Sequence, residues 1–129
     1  PPERAAAAPG ALAPLDGVVV ADLAPGHVPA ALPHLDRLLV VLPATEHALR
    51  AAQRRLEAWG GARDRAAVVV RRRGPLAAAD VAAQLGLPLA GTFRDSAPGT
   101  VPLLDVRRRG ADHLCARLAQ DWGQASWRS

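Results

Sequence analysis

The chain has 129 residues, of which 16 are Arg and 29 are Ala, and it contains no Lys, Met or Tyr. The absence of Lys excludes a lysine Schiff base, a lysine general base and a phosphate-loop lysine within this sequence. The net charge of +4 permits anionic partners, whereas the Arg- and Ala-rich composition is also typical of GC-rich coding. Because the sequence begins with Pro1 and not Met, we expect it to be an excerpt or a processed product.

The composition limits the classes of protein to which this chain can belong. Half of the residues are hydrophobic, which suffices for one domain with a buried core. A single cysteine cannot form an internal disulfide, and no apolar run reaches the ~20 residues of a membrane span. We predict a Pro/Ala-rich linker at residues 1–15, an α/β domain portion at 16–122 and a polar tail at 123–129.

Runs of consecutive apolar residues predict buried β-strands, because strands covered on both faces lack polar alternation. They lie at residues 18–21, 38–42, 66–70 and 87–93. Helices are predicted at residues 29–34, 45–59, 80–85, 101–108 and 111–122. This alternation predicts an α/β fold, namely a three-layer, Rossmann-like parallel sheet of about four strands with flanking helices. Functional groups should then lie at the strand ends, at Asp22, Pro43, Arg71 and Arg94.

The order of several segments resembles one superfamily. Residues 16–26 read DGVVVADLAPG, which resembles the Walker B/switch II segment of the ParA/MinD deviant P-loop ATPases. Residues 35–41, LDRLLVV, and 85–92, LGLPLAGT, are similar to later segments of the same proteins. Residues 69–75 and 85–94 look most like the actinobacterial septum site-determining, or CpaE (TadZ)-like, branch. The resemblance covers about residues 16–122 and implies the C-terminal portion of a P-loop NTPase fold.

The resemblance also implies roles for particular residues. Asp22 would hold a Mg²⁺-bound water, Pro25 and Gly26 would shape the switch loop, and Arg71 and Arg94 would lie beside the ATP base. The chain departs from the family pattern at four points. The lysine-bearing phosphate loop is absent, Leu23 replaces the usual Thr or Ser, Val70 or Arg71 replaces the Asn that contacts adenine, and Arg94 replaces a Pro. ATP and Mg²⁺ are therefore expected only in a longer parent chain, and this chain alone is not expected to be an ATPase.

The function implied is a module that positions septum, pilus or secretion machinery through protein contacts, with a degenerate nucleotide site. We expect it in the cytoplasm, with homodimerisation and peripheral contact with the inner face of the membrane as further hypotheses. Two alternatives stay open, namely a working ATPase once a phosphate loop is supplied, and a basic module that binds nucleoid DNA.

Several residues allow a simpler interpretation. Asp22 is also typical of a carboxylate that caps the turn after a strand. Two arginine runs could contact DNA phosphates or form a solvated basic rim, namely Arg71, Arg72, Arg73, Arg107, Arg108 and Arg109. The last predicted helix carries Leu114, Leu118 and Trp122 about one turn apart. This short apolar stripe favours packing against the sheet over a membrane anchor. Cys115 beside these leucines is predicted to be a small core residue.

Overall fold

The computed structural model describes residues 19–95 and 111–125. The first element is a run of helical turns, in which helix α1 (Val28–Ala31) lies between 3-10 turns at Pro25–His27 and Leu32–His34. The chain continues through strand β1 (Leu38–Pro43), helix α2 (Glu46–Ala58), a 3-10 turn (Ala62–Arg65), strand β2 (Ala66–Arg71), helix α3 (Ala78–Leu85), strand β3 (Leu89–Phe93) and helix α4 (Asp112–Ala125).

The three strands form one parallel sheet in the order β1–β2–β3. Each connection passes through a helix, because parallel neighbours need a long crossover. The register pairs Val40 with Val68 and Leu42 with Val70, so the apolar side chains of β1 and β2 share a face. The predicted α/β fold with a parallel sheet and flanking helices is confirmed.

Helix α2 has the predicted N-terminal cap. The Thr45 hydroxyl accepts a hydrogen bond from the Ala48 N–H at 3.2 Å, which satisfies one of the amides left free in the first turn. One face of the helix buries Leu49, Ala52 and Leu56 against the sheet. The 3.6-residue spacing of these side chains is therefore what attaches α2 to the core.

The side chains of the central strand divide the core between the two faces of the sheet. Val68 and Val70 belong to the main cluster, which also contains buried residues of α2 and α3. Val69 points to the opposite face and pairs in register with Gly91 of β3. Helix α4 lies on this second face, so helices α2 and α3 form one outer layer and α4 the other.

Helix α4 packs closely on β3 because Gly91 has no side chain. A Cβ atom at this position would collide with the Leu114 side chain and lie 2.6 Å from the Arg117 guanidinium. Arg117 also donates to the Ala90 carbonyl at 2.6 Å. Leu114 is buried, which supports the predicted packing against the sheet. The prediction for Cys115 was wrong: it is exposed, because it lies one helical step away from Leu114 and off the packed face.

One predicted strand is not present where the structure describes it. Residues 19–24 have no regular secondary structure, and Val20 is 86% exposed. A strand needs backbone hydrogen bonds to a neighbour, and the described sheet pairs β1 only with β2. The apolar run of residues 18–21 was therefore not sufficient, and the described sheet has three strands instead of about four.

Some predictions fall outside the described residues. They include the linker at residues 1–15, the helix at 101–108 and most of the tail at 123–129. The side chain of Trp122 also lies outside the described part. Within that part, no helix is long and apolar enough to cross a membrane.

Candidate functional site

The carboxyl edge of the sheet gathers three of the four predicted strand-end residues. Because the strands are parallel, Pro43 at the end of β1, Arg71 at the end of β2 and Arg94 just after β3 share one edge. Asp22 is not among them, because residues 19–21, the described residues before it, do not form a strand. The predicted location at the carboxyl edge is thus confirmed for Pro43, Arg71 and Arg94.

The three predicted site residues of the switch segment, Asp22, Pro25 and Gly26, are exposed. Asp22 lies in irregular backbone, while Pro25 and Gly26 form the first 3-10 turn. Magnesium sites in proteins are built from several oxygen ligands in near-octahedral geometry. In residues 19–95 and 111–125, no group of three or more His, Cys, Asp or Glu side chains is placed to hold a metal ion. Asp22 alone does not fit a Mg²⁺ site.

Arg71 forms an ion pair with Asp95, a residue that was not predicted from the sequence. Its Nε and Nη2 atoms donate to the two carboxylate oxygens of Asp95 at 2.5 and 2.8 Å. Arg73 lies 3.7 Å from the same carboxylate. The hydrogen bond from Arg71 is the main reason that the pKa of Asp95 lies below its ordinary value, with smaller contributions from the charges of Arg71 and Arg73. The pair also raises the pKa of Arg71, and it joins the ends of β2 and β3.

This ion pair predicts a pH dependence. A carboxylate whose pKa is lower in the folded state than its unfolded value of about 3.9 stabilises the fold above that pH. The contribution disappears as the pH falls through the folded-state pKa. We expect Asp95→Asn to lower the free energy of unfolding at pH 7, and the difference from wild type to shrink below about pH 4. Urea unfolding followed by circular dichroism at several pH values measures it.

Asp64→Asn is the control, because it changes the net charge by the same amount as Asp95→Asn. Asp64 is exposed and lies in the 3-10 turn before β2, away from the ion pair. A destabilisation at neutral pH that is equal in the two variants would show that the Arg71–Asp95 pair contributes nothing of its own. Both groups are exposed, so the effect should also diminish in high salt.

A cavity of about 510 Å³ opens at the same edge, on the face covered by α3. Its lining comes from the ends of all three strands and the start of α3: Ala44, Val70, Arg72, Gly74, Leu76, Ala77, Ala78, Thr92 and Arg94. Side chains alternate between the two faces of a strand, so Val70 and Arg72 point to the face of the cavity while Arg71 points to the other face. Of the predicted cofactor-contacting residues, only Arg94 lines this cavity.

The loop after β2 is held against β1 and shapes one side of the cavity. The Ala44 N–H donates to the Arg73 carbonyl at 3.1 Å, and the Leu76 N–H donates to the Ala44 carbonyl at 3.0 Å. Gly74 lies between these bonds with a φ of +130°. This close backbone contact fixes the position of Arg72 relative to the end of β1.

Residues 71–73 are the described half of the predicted DNA-binding patch, and their positive charge is partly neutralised by Asp95. Arg71 and Arg73 face Asp95, which leaves Arg72 as the arginine of this run that lines the cavity. Arg107, Arg108 and Arg109 lie outside the described residues. The DNA-binding alternative therefore draws little support from the geometry of residues 71–73.

Comparison with known proteins finds no matching protein-family profile, no matching curated protein and no matching solved structure.

Proposed function

We propose that this chain is a portion of a ParA/MinD-like domain that positions septum, pilus or secretion machinery in the cytoplasm, acting mainly through protein contacts. The observation that carries the proposal is the apolar outer edge of β1, which pairs with no strand among residues 19–95 and 111–125. Val41 is 58% exposed there, and β1 contains no charged residue. The motifs described above supply the family resemblance, which rests on the sequence.

The backbone of β1 explains why this edge suits a protein partner. The Ala44 N–H donates toward the β2 side, so by alternation Leu42 and Val40 also point to β2. Leu39 and Val41 then direct their N–H and C=O groups away from the sheet. Such an edge is a template for an added strand, and exposed edges of this kind mediate many protein contacts.

Pro43 limits the length of this edge. It is the next outward-pointing residue of β1, and it has no N–H to donate. The ladder that a partner could form therefore rests on Leu39 and Val41, with the exposed Val41 side chain as its apolar contact. We call these two residues the β1 edge.

Substituting Val41 by Arg tests the proposal. The Val41 side chain is exposed, so the domain should stay folded, while a charge at an apolar contact should weaken partner binding at least tenfold. A fluorescent fusion of the parent protein should form foci at septa, poles or secretion sites, and Val41→Arg should make the signal diffuse. Ala58→Arg, on the exposed end of α2, adds the same charge elsewhere and should keep the foci.

Two outcomes would contradict the proposal in different ways. Foci that survive Val41→Arg would show that the β1 edge is not the contact. A wild-type fusion spread evenly through the cell would argue against positioning altogether. Light scattering of the purified chain, with and without the substitution, shows whether the partner is a second copy.

ATP and Mg²⁺ in a longer parent chain stay predictions. The described residues supply an exposed Asp22 and an Arg71 held by Asp95, and neither lines the cavity at the carboxyl edge. This arrangement supports a degenerate nucleotide site as a further part of the proposal.

A further inference from the structure

Two arginines that follow neighbouring strands line the carboxyl-edge cavity. Arg71 pairs in register with Phe93, and the Arg72 N–H donates to the Phe93 carbonyl at 2.7 Å. Arg72 and Arg94 therefore follow one residue beyond the last paired position of neighbouring strands. Both side chains line the cavity, and both residues are exposed.

These two positive charges have no carboxylate partner among residues 19–95 and 111–125. The only acidic residue close in sequence to either strand end, Asp95, is held by Arg71 and Arg73 on the other face. The residues that line the cavity include no Asp or Glu. Like charges opposite one another across strands repel, so a bound anion would relieve this repulsion.

Apart from Arg72, Arg94 and Thr92, the residues that line the cavity are apolar. Val70 and Leu76 supply larger apolar walls, alanines supply small ones, and Thr92 contributes a hydroxyl. Its volume of about 510 Å³ falls in the range of small-molecule sites. A ligand that suits these walls has a compact apolar body, and its charged group belongs between the two guanidinium groups.

We infer that this cavity binds a small organic anion, with one phosphate or carboxylate group on an apolar body, through Arg72 and Arg94. The inference does not rest on the proposed protein contacts, because the β1 edge lies on a different part of the sheet. It also departs from the family resemblance, which places an uncharged adenine ring beside the position of Arg94. Guanidinium groups bind phosphate and carboxylate through paired, charge-assisted hydrogen bonds.

Isothermal titration of the full 129-residue chain with phenyl phosphate tests the inference. Phenyl phosphate should bind at one saturable site, inorganic phosphate more weakly, and phenol or adenosine much more weakly than phenyl phosphate. Arg72→Gln and Arg94→Gln should each weaken phenyl phosphate binding at least about tenfold, because each removes hydrogen bonds to a charged group. Arg54→Gln, on the exposed surface of α2, makes the same charge change and should leave the affinity unchanged.

The variants should stay folded, since removing either arginine reduces the repulsion between them. Thermal unfolding of each variant checks this, so that lost binding is not confused with lost structure. Equal weakening in Arg54→Gln and Arg72→Gln would reduce the effect to net charge and overturn the inference. Absence of saturable binding, or adenosine binding as tightly as phenyl phosphate, would overturn it as well.

Discussion

Replacing Gly74 by Ala should lower the free energy of unfolding by about 3 kcal/mol. Gly74 has a φ of +130°, a backbone conformation that residues with a Cβ rarely adopt. An added Cβ would also meet the Ala44 carbonyl and lie 2.8 Å from the Thr45 Cγ2 atom. The Ala44 carbonyl is part of the backbone and accepts the Leu76 N–H, so it cannot move aside without breaking that bond.

Urea unfolding of Gly74→Ala, followed by circular dichroism, measures the loss of stability. Gly60→Ala is the matched control, because its Cβ would meet nothing within 4 Å and its φ is not positive. The control should change stability by at most about 0.5 kcal/mol. If the two variants unfold at the same urea concentration, the loop after β2 is not held as tightly as the structure indicates.

Leu49→Ala should cost a similar amount, about 3 kcal/mol. Leu49 is 1% exposed and lies on the face of α2 that packs on the sheet. Truncating it removes apolar contacts and leaves a cavity that the rigid strands β1 and β2 cannot close. Of the apolar side chains of α2, it is one of two that are almost completely buried, with Leu56 at 2%.

Leu89→Ala makes the same chemical change at a position that is 41% exposed. It should cost about 1 kcal/mol or less, because water already reaches the side chain and fills the space left behind. The comparison is made by urea unfolding at neutral pH. Equal costs at the two positions would mean that α2 does not pack on the sheet through Leu49.

Much of the fold follows from local sequence patterns. The apolar runs of residues 38–42 and 66–70 predict strands within one residue of their observed ends, since buried parallel strands need continuous apolar sequence. Thr45 and Gly86 mark helix ends through backbone rules that act within a few residues. The strand predicted at residues 18–21 was wrong because a strand also needs a neighbouring strand to pair with, and that pairing is not determined by local sequence.

The candidate site was predictable only in part. Parallel strands place their carboxyl ends at one edge, so Arg71 and Arg94 could be assigned to that edge from the order of strands and helices. Which of the arginines faces the cavity depends on the register of the strands and on the face of each side chain. Arg71 points toward Asp95, and the neighbouring Arg72 points into the cavity. A count of alternating positions beyond each strand end is the signal that pairs Arg72 with Arg94.

Three properties follow from the sequence alone: Arg supplies all of the formal positive charge, lysine chemistry is excluded, and the helices α2 to α4 and the three described strands lie close to their predicted positions. These properties depend on residue type and on spacing within one turn or one strand. The tertiary structure decided how the arginine charges are used. It joins Arg71 and Arg73 to Asp95 and sets Arg72 beside Arg94 at a cavity. Among the described strands it also leaves the outer edge of β1 without a neighbour. Each of these arrangements requires strand register and crossover direction, which bring together residues about twenty or more positions apart in the chain.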